Sequence, residues 1–179
     1  HPLAETLAAE LSLDEEPVQP LRPDNAVELH LPFVAHHFPG TPMIMMGIAM
    51  AKVALEIGRH VGGRLREAGE APVFVGSTDL THYGPNYAFA PRGRGPDAVE
   101  WVRGQNDRGF LDAVLGADAE LALSHGVEHR SACCPGAAVA TMEAVRAFEG
   151  GLTPVLVDHY LSFDVRPDES FVGYASLVL

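Results

Sequence analysis

The segment STDLTHYG, Ser77 to Gly84, constrains this chain more than any other. It follows an apolar run, Val73-Phe74-Val75, inside APVFVGST, Ala71 to Thr78, which predicts a buried strand. A strand of that kind has to stop at the polar burst, because such side chains do not stay in a core without partners. Two readings of Asp79 and His82 follow. In one they form a polar turn, with Asp79 capping the next segment and His82 on the surface. In the other a carboxylate and an imidazole converge on one site, where they hold a divalent metal or the Asp fixes the tautomer of an acid/base His. Ligands of α/β sheets bind beyond the carboxyl ends of strands, which favours the second reading.

The surrounding pattern alternates strands with helices and implies a three-layer αβα sandwich around a mostly parallel or mixed sheet. Residues 1–24 read as a loop-rich lead-in. It holds one short helix, Ala4 to Leu11, and an acidic stretch punctuated by Pro17, Pro20 and Pro23. Asn25 with Glu28 three residues later predicts a capping box opening a helix, which Pro32 kinks or shortens. PMIMMGI, Pro42 to Ile48, predicts a second buried strand, more in keeping with core than with a methionine-rich metal site. Ala49 to Glu67 reads as a helix with Arg59, Arg64 and Arg66 placed late, where they suit its dipole. A Gly/Pro-rich loop, Gly84 to Pro96, leads to helix from Asp97 to about Leu123, broken near Gly116, and then to a helix from Gly136 to Phe148. Thr153 to Phe163 and Ser170 to Leu179 predict two strands pairing as a hairpin around Pro167 and Asp168.

With 179 residues the chain suits one domain with a sizeable core. The formal charge is −12, from 24 acidic against 12 basic residues, which argues against nucleic acid and against attachment to anionic lipid. A small-molecule substrate or a protein partner fits better. No apolar run is long enough for a membrane span, and the N-terminus lacks a signal-peptide pattern. Both cysteines are adjacent, Cys133 and Cys134, a spacing at which a disulfide strains the peptide. A reducing cytoplasm is therefore the expected compartment. Absence of GxSxG, Walker A and GxGxxG patterns leaves a hydrolase elbow and nucleotide binding without support.

Other candidates carry weaker signals. Cys133 and Cys134 precede a helix with Pro135 in its first turn, a setting that favours a thiolate, although free Cys is often a small buried hydrophobe. His30, His36 and His37 belong to the helix after Asn25, the last two solvated or packed near its end. His125 and His129 are four apart, as in helical metal pairs, but Gly126 intervenes and they read as loop residues.

Four segments, in order, resemble the MEMO family, called AmmeMemoRadiSam system protein B in prokaryotes. NAVELHLPF is similar to the family's HSxExxLPF element and STDLTHYG to SSDxxHxG. SACCPGAAV stands in place of ICGRxPI. LVDHYLSFDV with FVGYASLVL is similar to the closing Y-x-S-x-D and V-x-Y-A-S elements. The resemblance spans Asn25 to Leu179 and implies the fold of class III extradiol dioxygenase catalytic subunits. It places Asp79, His82 and Cys133 on the family's pocket aspartate, histidine and cysteine, as metal ligands and catalytic groups. Cys134 replaces a glycine and Pro135 an arginine. Asn25 stands where the family has a metal-site histidine, and a further histidine of the family's N-terminal third has no counterpart, His1 not being assignable to it. The chain is thus expected to be a single MEMO-like domain, residues 1–179, lacking that third: a C-terminal piece, a reduced member, or a subunit whose partner completes the pocket, either a second copy or another chain.

A mononuclear iron site needs two His and one carboxylate. His82, Asp79 and the soft Cys133 thiolate favour Cu or Zn over Fe as the transition metal. The resemblance accordingly implies a metal-binding, oxidoreductase-type pocket, working alone or as partner of a radical enzyme. A ring-cleaving extradiol dioxygenase and a non-catalytic binding module with a vestigial pocket are the alternatives.

Overall fold

In a computed structural model residues 2–14 and 24–179 are described. The chain divides into two compact units, His1–Gly47 and Ile48–Leu179.

The first unit is helical. Helix α1 spans Pro2–Leu11, where a helix is expected. The segment with Pro17, Pro20 and Pro23 lies outside the described residues. Helix α2, Asn25–Glu28, is followed by α3, Leu31–His37. The predicted capping box does not form: Asp24 is the N-cap, its carboxylate accepting the Ala26 N–H at 2.9 Å, so Asn25 is the first helical residue and the third position falls on Val27 instead of Glu28. Pro32 opens α3, so the proline divides one predicted helix into two short ones. Pro42–Ile48 is not a strand, and Met43, Ile44 and Met45 are exposed. An apolar run becomes a buried strand only where neighbours pair with it, and none does among the described residues.

The second unit carries the core. Helix α4, Val53–Glu67, packs along α8, Pro135–Glu149, at very close range. A Cβ on Gly58 or Gly62 would fall onto the carbonyl of Ala140 or Ala144. Between them in sequence come α5, Pro96–Trp101, a π-helical turn, Val102–Asn106, α6, Asp107–Leu115, and α7, Ala119–Glu128, whose start is capped by the Asp118 carboxylate. The break falls at Gly116, as the sequence predicts. Phe110, Leu111, Val114, Ala122, Val139 and Met142 of these helices form the main core with Leu55 and Leu80.

The sheet has three strands in the order β1-β3-β2 and is antiparallel throughout. These are β1, His82–Tyr83, β2, Val155–Leu161, and β3, Phe171–Val178. The predicted hairpin is present, its strands joined through a one-turn helix α9, Ser162–Val165. The expected mostly parallel or mixed sheet is not what these strands form. Ala71–Thr78 is not a strand of this sheet: Val73 and Val75 are exposed while Phe74 meets Phe148 of α8 edge-on. STDLTHYG therefore does not leave the end of a buried strand. It is held by β3 instead, with Leu80 N–H on the Gly173 carbonyl and Gly173 N–H on that of Thr81. The chain is thus a mixed helix-and-strand protein whose helices outweigh one small open sheet.

Candidate functional site

The β1–β3 register decides which way the polar burst points. His82 pairs with Val172 and Tyr83 with Phe171. Side chains alternate along a strand, so His82 shares a face of the sheet with Tyr174 and its cross-strand partner Tyr160. Tyr83 and Phe171 stack on the opposite, buried face. Gly84 ends the strand at φ 108°, and a Cβ there would meet the Glu169 carbonyl, so only glycine fits this turn.

Asp79 and His82 do come together. Asp79 Oδ2 lies 3.1 Å from His82 Nε2. Cys133 is delivered from the other side by the residues preceding α8. Its N–H donates to the Asp79 carbonyl at 2.9 Å, and the Asp79 N–H points back at Cys133 Sγ at 3.3 Å. One oxygen, one nitrogen and one sulfur of Asp79, His82 and Cys133 lie within 4.8 Å of one another, all half-buried. In a tetrahedral shell with bonds of 2.0–2.3 Å, ligand atoms sit about 3.5 Å apart. Loading a metal therefore needs a contraction of about an ångström, and it replaces the hydrogen bond between His82 and Asp79. The N/O/S donor set fits copper or zinc, and its single imidazole falls short of the two-His facial set that non-haem iron uses.

Thr78 links the two segments and was not among the sequence candidates. Its hydroxyl accepts the Cys134 N–H at 2.9 Å, donates to the Asp79 carbonyl at 2.9 Å and sits 3.6 Å from Cys133 Sγ. Its place in the polar burst was the available signal. Tyrosines border the site: the Tyr87 ring lies 4.8 Å from that of His82, and Tyr160 and Tyr174 are 5.5 Å apart. Burial pushes the Tyr174 phenol above its ordinary value, and the nearby Asp79 carboxylate adds to the shift.

The remaining candidates are not part of this group of three. Asn25, His30, His36 and His37 lie in the first unit and are exposed. His1 lies outside the described residues. Cys134 is the N-cap of α8, and neither Cys133 nor Cys134 forms a disulfide. His125 and His129 are not in a loop: His125 is in the last turn of α7 and His129 caps it, their rings 4.5 Å apart. Gly126 does not break the helix, because its bare Cα makes room for Pro135 and Phe110. Among the described residues no helix is long and apolar enough to cross a membrane.

The profile of the Memo-like protein family matches residues 1–178. The chain belongs to that family. It is similar to the MEMO1 family protein of Methanococcoides burtonii, 26% identical over 161 residues, covering 88% of this chain and 56% of that protein. The MEMO1 family protein of Thermococcus kodakarensis is 28% identical over 163 residues, covering 87% and 56%. That of Methanopyrus kandleri is 28% identical over 160 residues, covering 87% and 51%. The chain thus spans about half the length of these relatives.

Proposed function

We propose that this member of the Memo-like family binds a late transition metal, copper or zinc in preference to iron, through Asp79, His82 and Cys133. The metal serves redox or Lewis-acid chemistry in the pocket. The observation that carries the reading is the convergence of a carboxylate, an imidazole and a thiol within 4.8 Å from two segments far apart in sequence. The mutual hydrogen bonds of Asp79 and Cys133 support it, because they preset two of the ligands. Asp79 and His82 would supply the hard and borderline donors and Cys133 the soft one. Coordination positions left open by three protein ligands would take a small molecule, or a group from a second copy or another chain, including a radical enzyme. A three-layer arrangement of the extradiol-dioxygenase kind, with oxidoreductase activity, is the wider form of this proposal. Two adjacent cysteines without a disulfide are in keeping with a reducing cytoplasm.

Ring cleavage has less support, since the site brings one imidazole where a facial iron site uses two. A non-catalytic module would keep the geometry without turnover. The test is metal analysis after dialysis against Cu, Zn and Fe, with oxygen uptake on a catechol panel. Stoichiometric Cu or Zn that is lost on His82→Ala with Cys133→Ala is expected. Iron retention with catechol-dependent oxygen uptake would replace this reading with the dioxygenase one.

A further inference from the structure

On the buried face of the sheet, directly behind the site, lies a polar network that the ligands do not use. Asn106 and Asp107 are both buried, at 4% and 0% exposure, between apolar core residues Val102 and Phe110 of the same helical stretch. They stand where the π-helical turn Val102–Asn106 meets α6, and the Asp107 N–H reaches five residues back to the Val102 carbonyl. Such a turn inserts one extra residue and rotates the following register, and π-turns are frequent at functional sites.

Each residue reaches the ligand segments through the backbone or through Thr81. Asp107 Oδ1 accepts the N–H of Thr81, the residue just before His82, at 3.1 Å. Its other oxygen lies 3.1 Å from His159 Nε2. Gly173 leaves room for this carboxylate, since a Cβ there would collide with Asp107 Oδ2. The Asn106 amide donates twice, to Thr81 Oγ1 at 2.9 Å and to the His129 carbonyl at 3.1 Å. Thr81 lies between Asp79 and His82, and His129 begins the stretch that ends in Cys133. One buried amide thus ties the Asp79–His82 segment to the Cys133 segment.

We propose that Asn106 and Asp107 are positioning residues of the Asp79–His82–Cys133 centre, Asn106 setting the distance between the two ligand segments and Asp107 fixing the Thr81 amide. The inference rests on the metal reading above, and its test is arranged so that the two fail separately. The 179-residue chain is titrated with Co(II), whose thiolate charge-transfer band reports Cys133 ligation and whose visible bands report geometry. Removing partners that hold metal ligands in place typically costs about 10–100-fold in affinity, the loss expected for Asn106→Ala and Asp107→Ala. Asp107→Asn keeps an acceptor for the Thr81 N–H and can donate to His159, so it is expected to stay within about threefold of wild type.

A core variant of similar stability loss, Val114→Ala, is expected to bind Co(II) as wild type does, with unchanged bands. Equal affinities for Asn106→Ala, Asp107→Ala and Val114→Ala would overturn the proposal. So would an Asp107→Asn as weak as Asp107→Ala. If Asn106→Ala fails to melt cooperatively, Thr81→Val, which removes only the hydroxyl that Asn106 engages, takes its place with the same expected direction; if Asp107→Ala does, Asp107→Leu, which keeps the volume and removes the acceptor of the Thr81 N–H, takes its place. If wild type itself develops no cobalt band, the metal reading has failed. The positioning claim is then decided by iodoacetamide alkylation of Cys133 located by mass spectrometry. Faster alkylation in Asn106→Ala than in Val114→Ala upholds it, and equal rates overturn it.

Discussion

Thr78 and His125 show what single side chains contribute, one beside the site and one in α7. The Thr78 hydroxyl is the acceptor for the half-buried Cys134 N–H. Thr78→Val keeps the shape and strands that donor, which costs about 1–3 kcal/mol. Urea unfolding is expected to show a lower midpoint at unchanged slope. His125 is a matter of protons. The Ser131 hydroxyl donates to the His125 carbonyl at 3.1 Å, so toward the ring it accepts from Nδ1, 2.8 Å away. That leaves Nε2 as the unprotonated nitrogen, packed against Gly109. Burial pushes its pKa below the usual 6.5, His129 lowers it further, and Glu128 opposes in part. The folded state therefore binds this proton less well than the unfolded state does. The contribution of a neutral His125 is whole above the unfolded value and is lost as pH falls from about 6.5 toward the lower folded value. Melting temperature is expected to drop on acidifying through that window, and to drop less in His125→Gln.

At the scale of elements, the contact of α4 with α8 gives a paired prediction. Ala is a better helix former than Gly by about 1 kcal/mol. Gly63→Ala, where a Cβ would meet nothing within 4 Å, is expected to gain most of that. Gly58→Ala forces a methyl group into the Ala140 carbonyl and is expected to destabilise by about 1–3 kcal/mol, despite the same propensity gain. Chemical denaturation of the two variants checks the opposite signs. The elements also show what was readable in advance. The helices were legible because they carry their own periodicity and punctuation: Pro135 opens α8, Gly150 closes it with φ 83°, and Gly116 marks a break. The hairpin of β2 and β3 was legible for the same local reason. Pro42–Ile48 and Ala71–Thr78 were misread because a strand is defined by its neighbours, which a run of apolar residues does not name. The contact of Asp79, His82 and Cys133 was legible only through the resemblance to a family. The Asn106–Asp107 pair left a trace that went unused: two residues that favour caps and turns, adjacent in the middle of a predicted helix.

For the molecule as a whole, charge and metal content are the quantities to measure. A net charge of −12 stores self-repulsion that salt screens. Melting temperature is expected to rise between low ionic strength and about 0.3 M NaCl, where the Debye length is well below the roughly 10 Å it has at 0.1 M. A flat or falling curve would mean that the acidic groups are locally compensated, as Asp164 is by Arg103. The chain spans about half the length of its relatives, 56% of the Methanococcoides and Thermococcus proteins, so chemistry belonging to those whole proteins remains a proposal for it. The proposed metal centre is the part these residues can be asked about directly. The measurement that does so is a calorimetric titration of the reduced chain with Zn(II), run beside the His82→Ala, Cys133→Ala double variant. One site per chain is predicted for the wild type and none for the variant. Equal binding by the two, or no binding by either, would contradict the account.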